Sequence, residues 1–497
     1  MMFTVQGPTE KVVVVGAGLA GLSTAMRLAG AGREVVVLER EDRPGGRAGR
    51  LEMGGYSFDT GPTVLTMPDL IEDAFAALGE DYRDWLDLLP LDPAYRAFYP
   101  DGSTMDVFAD PERMATEIEQ QIGVDEAAGY LRFVDYVGQM YKLEIREFID
   151  RNLDSPLDLL TPNLARLVAL GGFGRLQRKV DMFLKDPRTR RLFSFQAMYA
   201  GLSPYKALAL YSVISYMDSV AGVYLPRGGM HALPQAMADA AMKHGVTIHY
   251  GVTVDSVETV GDTATAVITT DGERFPADAV VLNPDLPVAH RDLLGLDARR
   301  LERLDYSPSC WLLLAGSSAH YSKIAHHNIH FGREWRRSFD EVLGGHLMTD
   351  PSFLVTNPTH TDPSLAPPGK QSYYVLFITP NTRGKVAWPN ERFRDDALKV
   401  MEERGYIGFA DAIEVEDITD PSVWEARGME AGAPFSAAHS LFQTGPFRSS
   451  NHWGRNVVFT GSGTQPGVGV PMVLVSGRLA AERILGPDPA YRSAAWR

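Results

Sequence analysis

Residues 12–21 read Val12-Val13-Val14-Val15-Gly16-Ala17-Gly18-Leu19-Ala20-Gly21. Four consecutive β-branched, apolar residues make a buried strand. G-x-G-x-x-G follows directly. Gly16 permits a tight turn, Gly18 lets backbone approach a diphosphate, and Gly21 lets the next helix pack close to the strand. A helix over Leu19 to Ala29 then aims its free N–H groups and positive dipole end at that anion. A second strand, Glu34 to Leu38, ends at Glu39, about 20 residues beyond the glycines. A carboxylate there accepts hydrogen bonds from both ribose hydroxyls and repels a 2′-phosphate. This unit reads as an adenine-dinucleotide cradle.

The segment after Glu39 runs Arg40-Glu41-Asp42-Arg43-Pro44-Gly45-Gly46-Arg47. A glycine pair followed by arginine brings a second backbone segment and a guanidinium to the same diphosphate. Near the other end stands Gly461-Ser462-Gly463-Thr464-Gln465-Pro466-Gly467-Val468-Gly469-Val470-Pro471, between the strand-like Val457 to Thr460 and a helix over Met472 to Leu485. Pro471 suits a first helical turn. A helix starting there presents its positive end to an electron-rich group, and a flavin gains negative charge at its N1–C2 edge on reduction.

The remainder of the chain bounds what else it does. With 497 residues, two or three lobes are expected. A net charge of −15 argues against nucleic acid as partner, because phosphate neutralisation needs clustered Lys and Arg. The single cysteine, Cys310, makes no internal disulfide and fits a reducing cytosol, as a buried apolar residue. No run reaches about 18 apolar residues, so a protein bound to a membrane without crossing it, or free of one, is expected.

Periodic apolar positions predict a mostly helical stretch over 68–215, including Leu70 to Leu78, Ala128 to Phe148 and Leu164 to Phe183. After Pro226-Arg227-Gly228-Gly229 come a helix (Ala232 to Lys243) and strands near 247–282, then a strand-rich region from Trp311 to about Phe377. The fold class expected is α/β: a discontinuous Rossmann-like dinucleotide-binding domain (1–75, 226–290 and 426–497) with an inserted substrate domain built on a mixed β-sheet (291–425) and a helical substrate or membrane lobe (76–225).

Taken together, these motifs resemble the carotenoid desaturase branch of the FAD-dependent amine oxidase superfamily, the bacterial and fungal phytoene desaturases. The resemblance covers nearly the whole chain. It is carried by Val12 to Arg47, Phe58-Asp59-Thr60-Gly61-Pro62-Thr63, Pro226-Arg227-Gly228-Gly229-Met230, His326-His327-Asn328-Ile329-His330-Phe331-Gly332, Asp362-Pro363-Ser364-Leu365-Ala366-Pro367, Ser372-Tyr373-Tyr374-Val375 and Gly461 to Gly477. It implies FAD as cofactor, held by Gly16, Gly18, Leu19, Ala20, Gly21, Glu39, Arg40, Gly46, Arg47, Gly61, Pro62, Thr63, Val254, Gly461, Gly463, Gly469, Val470, Pro471 and Met472. It further implies desaturation of phytoene to lycopene or an earlier intermediate, with quinone or oxygen as final electron acceptor. Other carotenoid oxidoreductases (a diapophytoene or hydroxycarotenoid desaturase, a ketolase), a flavin amine oxidase and a non-catalytic lipid-binding flavoprotein stay open at this point.

A hydrocarbon substrate offers no polar handle, so an apolar tunnel must orient it. Leu157, Leu159, Leu160, Phe173, Phe183, Met198, Tyr199, Tyr211, Tyr216 and Met217 are the expected walls. Asp158, in the apolar run Leu157-Asp158-Leu159-Leu160, is the candidate acid/base, with a helix cap as its competing role. Where several relatives carry His, this chain has Gln465. His326 and His327 invite a metal reading, but no further ligands accompany them; they are expected at a surface or interface, and no metal is expected. Arg166, Arg175, Arg178 and Lys179 adjoin Leu167, Leu170, Phe173 and Leu176, which points to peripheral docking of 164–183 on the inner face of the cell membrane.

Overall fold

A computed structural model describes residues 2–487. Its first sheet has six strands in the order His452–Trp453, Val457–Phe459, Ala279–Leu282, Lys11–Val15, Glu34–Leu38, Thr247–His249. All neighbours run parallel except the hairpin at the His452–Trp453 edge. The valines of Lys11–Val15 are buried on both faces, as a parallel strand covered by helices requires. One dinucleotide domain is thus assembled from three distant pieces of chain.

The helix Leu19–Gly30 packs along the C-terminal helix Val470–Leu485. Their approach is close because Gly477 has no side chain; a Cβ there would sit 2.6 Å from the Ala20 carbonyl oxygen. Ser23 and Thr24 donate across the seam to the Leu474 and Gly477 carbonyls at 2.9 and 3.1 Å.

The second large sheet has seven strands, ordered Ile413–Thr419, Ser309–Ser317, Gln371–Thr379, Phe353–Thr356, His327–His330, Tyr95–Phe98, Thr104–Val107. Two of its strands fall inside 68–215, the stretch read as mostly helical. Tyr95–Phe98 pairs with His327–His330 and hairpins to Thr104–Val107. Short strands framed by Pro and Gly carry too few residues to outweigh the helical pattern around them. A second departure is that 164–183 is two helices, Pro162–Ala169 and Leu176–Phe183, interrupted around Gly171, Gly172 and Gly174. The longest helix, Val124–Glu144, crosses the lobe and passes directly into a π turn, Ile145–Ile149.

His326 and His327 are buried against this sheet rather than at a surface or interface, correcting the expectation above, and His330 is buried with them. Their strand is interior, between Phe353–Thr356 and Tyr95–Phe98. The Nδ1 atoms of His326 and His327 pair with Thr361 and Thr356 hydroxyls at 2.7 and 3.0 Å. Burial pushes His327 and His330 down to about 3, so they are neutral. Among the described residues no cluster of His, Cys, Asp or Glu is arranged to hold a metal.

Candidate FAD and substrate site

One continuous cavity of about 1090 Å³ runs from the Lys11–Val15 strand end into the helical lobe. At the dinucleotide end its wall is largely backbone. Gly16, Gly18, Leu19, Ala20, Glu39, Arg40, Gly46, Arg47, Gly61, Pro62, Thr63, Val254, Gly461, Gly469, Val470, Pro471 and Met472 all line it. Gly21 and Gly463 do not; they stand behind the wall. A Cβ on Gly21 would lie 2.2 Å from the Gly16 carbonyl oxygen, and one on Gly463 would lie 3.2 Å from Leu286 Cγ.

Glu39 is buried and already oriented. Its carboxylate accepts from the Ala17 N–H at 2.6 Å and the Glu41 N–H at 3.0 Å. The Val252 N–H reaches the Glu39 carbonyl at 2.9 Å, which brings Val254 alongside. Arg47 links the glycine pair to the C-terminal loop: it donates to the Ser462 hydroxyl and, at 2.6 Å, to Asp285. Its Nε is buried without a partner. The helices Leu19–Gly30 and Val470–Leu485 begin at Gly18 and Gly469, and neither has a side-chain cap. Their first-turn N–H groups are therefore left for a ligand. A glycine-walled groove, an under-used guanidinium and two uncapped helix starts fit FAD.

Asn283, which the sequence reading passed over, sits beneath the fingerprint. Its Oδ1 would lie 2.6 Å from a Cβ on Gly18, and its Nδ2 donates to the Thr460 carbonyl at 3.1 Å. Asp59 joins two motifs by accepting from the Met230 and His231 N–H groups at 2.8 and 3.1 Å. Burial raises it to about 6. Gly229, at φ +94°, would put a Cβ 3.0 Å from that carboxylate. Arg448 is buried behind the C-terminal loop and donates to the Ser462 and Thr464 carbonyls at 2.5 and 2.9 Å. Gln465 donates to the Leu153 carbonyl at 2.8 Å and accepts from the Leu153 N–H at 3.0 Å, tying the loop to the lobe.

Beyond the glycines the wall becomes apolar. Leu159, Phe173, Met198, Tyr199, Tyr211 and Met217 line it as expected. Leu157 and Leu160 point outward, each 72% exposed; Phe183 and Tyr216 pack within the lobe instead. Asp158 lies off the cavity. Its Oδ2 accepts from the Asp154 and Ser155 N–H groups at 3.0 and 2.9 Å, completing a capping box on the short helix Pro156–Leu159. The competing cap role thus accounts for its carboxylate.

Two carboxyls that the sequence reading did not single out do line the apolar cavity: Glu144 and Asp218. Both are buried, and Glu144 Oε1 and Asp218 Oδ2 lack partners. Burial raises Asp218 to about 7 and Glu144 well above the ordinary carboxyl range. A signal existed for Glu144: it continues the inward stripe Tyr130, Phe133, Val137, Met140.

Residues 19–485 match the family described as flavin containing amine oxidoreductase. The chain is 55% identical to "Phytoene dehydrogenase" of Streptomyces griseus, over 98% of this chain and 97% of that one. The chain belongs to the flavin-containing amine oxidoreductases, in their phytoene desaturase branch. It is 37% identical to a "zeta-carotene-forming phytoene desaturase" of Myxococcus xanthus, covering 96% of this chain and 94% of that one. It is 32% identical to a lycopene-forming phytoene desaturase of Pseudescherichia vulneris, covering 96% and 99%. Cyclohexylamine oxidase of Brevibacterium oxydans shares the fold, with a TM-score of 0.60 at 16% identity over 95% of this chain and 98% of that one. The protein is accordingly an FAD-dependent oxidoreductase of the desaturase branch.

Proposed function

We propose that the protein desaturates phytoene within this cavity, the product series ending at lycopene or an earlier intermediate. The observation that carries the reading is the change of wall within one continuous space, from glycine backbone and Arg47 to a long apolar bore. FAD, when bound, supplies the acceptor for the hydride. The protein's residues do the rest. Arg47, the glycines and the uncapped helix starts grip the dinucleotide. The apolar wall excludes water and aligns a chain that has no polar handle. The flavin ring is expected at the Gly461–Met472 end, where the C-terminal helix presents its positive terminus. Reoxidation by quinone or oxygen completes the cycle.

The substrate is soluble only in lipid, and the surface suits a bilayer as its source. Phe442 is 75% exposed, beside Leu157 and Leu160 at 72% each. The segments Pro156–Leu159 and Gly445–Phe447 touch, and Leu159, Leu441 and Phe447 also line the cavity. The apolar patch therefore rims the cavity mouth. Exposed Arg166, Arg175 and Arg178 stand on the adjoining helices, ready for anionic headgroups. Leu167 and Leu176 turn inward, so the docking face centres on 157–160 and 441–447 rather than on 164–183 alone. No helix among the described residues is long and apolar enough to cross a membrane.

The test is anaerobic mixing of the purified flavoprotein with phytoene in anionic liposomes. Bleaching of the flavin with gain of conjugated polyene absorbance is expected; unchanged flavin absorbance overturns the reading. In a flotation assay, Leu157→Glu with Phe442→Glu is expected to abolish liposome binding and spare FAD content. Equal flotation of this variant and the parent removes the docking face.

A further inference from the structure

Glu144 ends the long helix Val124–Glu144, at the entry to the π turn Ile145–Ile149. π turns recur at functional sites because they redirect side chains out of the helical ladder. The chain just beyond is fastened to the flavin side: Asp150 pairs with Arg478 at 2.5 Å, Asn152 donates to the Leu479 carbonyl at 3.1 Å, and Leu153 is held by Gln465. Ile145, next to Glu144, packs in one apolar cluster with Val470 and Leu474 of the C-terminal helix. Glu144 thus enters the same cavity that the start of the C-terminal helix lines, where the flavin ring is expected.

We propose that Glu144 is a catalytic residue, the acceptor of the proton released in desaturation; this rests on the desaturase reading above. Making C=C from CH2–CH2 breaks two C–H bonds on adjacent carbons. One hydrogen leaves with its electron pair, to the hydride acceptor FAD supplies. The other leaves as a proton, its bonding pair becoming the new π bond, and the Glu144 carboxylate forms the O–H bond to it. Among the described residues no salt bridge competes for this carboxylate. Within electrostatic reach of it are the hydroxyls of Tyr136, on its own helix, and Tyr211. Lys179 lies beyond, over the Tyr136 ring and bonded to the Leu170 carbonyl, and Arg448 lies behind Tyr211 bonded to carbonyls. Because burial favours the neutral acid, the ionised form is a strong base when it occurs. The rate of flavin reduction is then expected to climb with pH, past the ordinary carboxyl range.

Glu144→Gln keeps the shape and removes the base. With FAD content unchanged, flavin reduction by phytoene liposomes is expected to slow at least about 100-fold and to lose its pH dependence. Glu144→Asp is expected to retain the pH dependence at a reduced rate. Reduction of Glu144→Gln within about threefold of the parent, or with the parent's pH profile, overturns the proposal. If Glu144→Gln does not fold, Glu144→Asp decides: parental rate and parental pH midpoint overturn it, and a slower rate with a moved midpoint supports it. Failure of the desaturase reading is distinct, since the parent itself would then leave its flavin oxidised.

Discussion

Gly18 and Gly21 belong to one motif, yet the structure gives them separable jobs. Gly18 lines the cavity and adopts φ −69°, open to any residue. A methyl group there meets only Asn283 Oδ1, at 2.6 Å, the end of a side chain that can rotate. Gly18→Ala is therefore expected to cost the apoprotein little while placing a methyl on the diphosphate path. Gly21→Ala drives its methyl to 2.2 Å from a backbone carbonyl oxygen, so the helix must move off the strand. Overpacking of that kind costs about 1–3 kcal/mol. For Gly21→Ala that loss is expected in thermal unfolding of apo and holo forms alike. For Gly18→Ala the same range expressed in cofactor affinity is roughly 5- to 150-fold in Kd. The assay is titration of apoprotein with FAD by flavin fluorescence, with melting curves for both forms. Asn283→Ala added to Gly18→Ala removes the side-chain clash but not the methyl, so it is expected not to restore FAD binding. Full restoration, or parental affinity in Gly18→Ala alone, would refute the reasoning that backbone proximity to the diphosphate selects glycine here.

Asp158→Ala loses the capping box, and about 0.5–2 kcal/mol of stability is expected to go with it while flavin reduction by phytoene holds near the parental rate; a severe rate loss with FAD retained would return Asp158 to the chemistry. Arg448→Met leaves the Ser462 and Thr464 carbonyls without their donor, so FAD retention through gel filtration and the melting temperature are both expected to fall, the unsatisfied carbonyls costing about 1–3 kcal/mol each. Asp218 is protonated in the fold up to about 7, whereas the unfolded chain releases that proton near the ordinary carboxyl value. The folded state therefore binds the extra proton, and stability is lost as pH rises from about 4 to about 7. Asp218→Asn is expected to stabilise the fold at pH near 8 more than at pH near 4, by on the order of a few kcal/mol in unfolding free energy, and equal effects at both would contradict it. His327 runs the other way: held neutral down to about 3, it makes stability fall as pH drops below about 6.5, and His327→Gln is expected to flatten that slope in melts taken across the range.

The parts of the site built from backbone were legible because glycine is itself the signal. Gly16, Gly18, Gly45-Gly46 and Gly461 stand where a side chain would occlude a groove or meet Asn283, and spacing alone locates them. The first and last pieces of the first sheet were legible for a related reason: each is a strand read directly into a glycine turn, at Gly16 and Gly461. The strands Tyr95–Phe98 and Thr104–Val107 were not, since their pairing partner, His327–His330, lies over 200 residues away and four-residue strands carry almost no periodicity. Depth was the other blind spot. His326 and His327 read as surface residues until the sheet closed over both sides of their strand. Asp158, set among leucines, read as buried although Leu157 and Leu160 point to solvent. Glu144 shows the converse. Its position on the inward face of Val124–Glu144 was there in the i, i+3, i+4 spacing, but periodicity specifies a face and not what the face looks into. Most of that face, such as Phe133 and Met140, packs against other side chains, and only at the π turn does it open onto the cavity. An unpartnered acid on an apolar stripe costs stability, and perturbed carboxyls of that kind cluster at functional sites, which is the position the proposed proton acceptor Glu144 occupies.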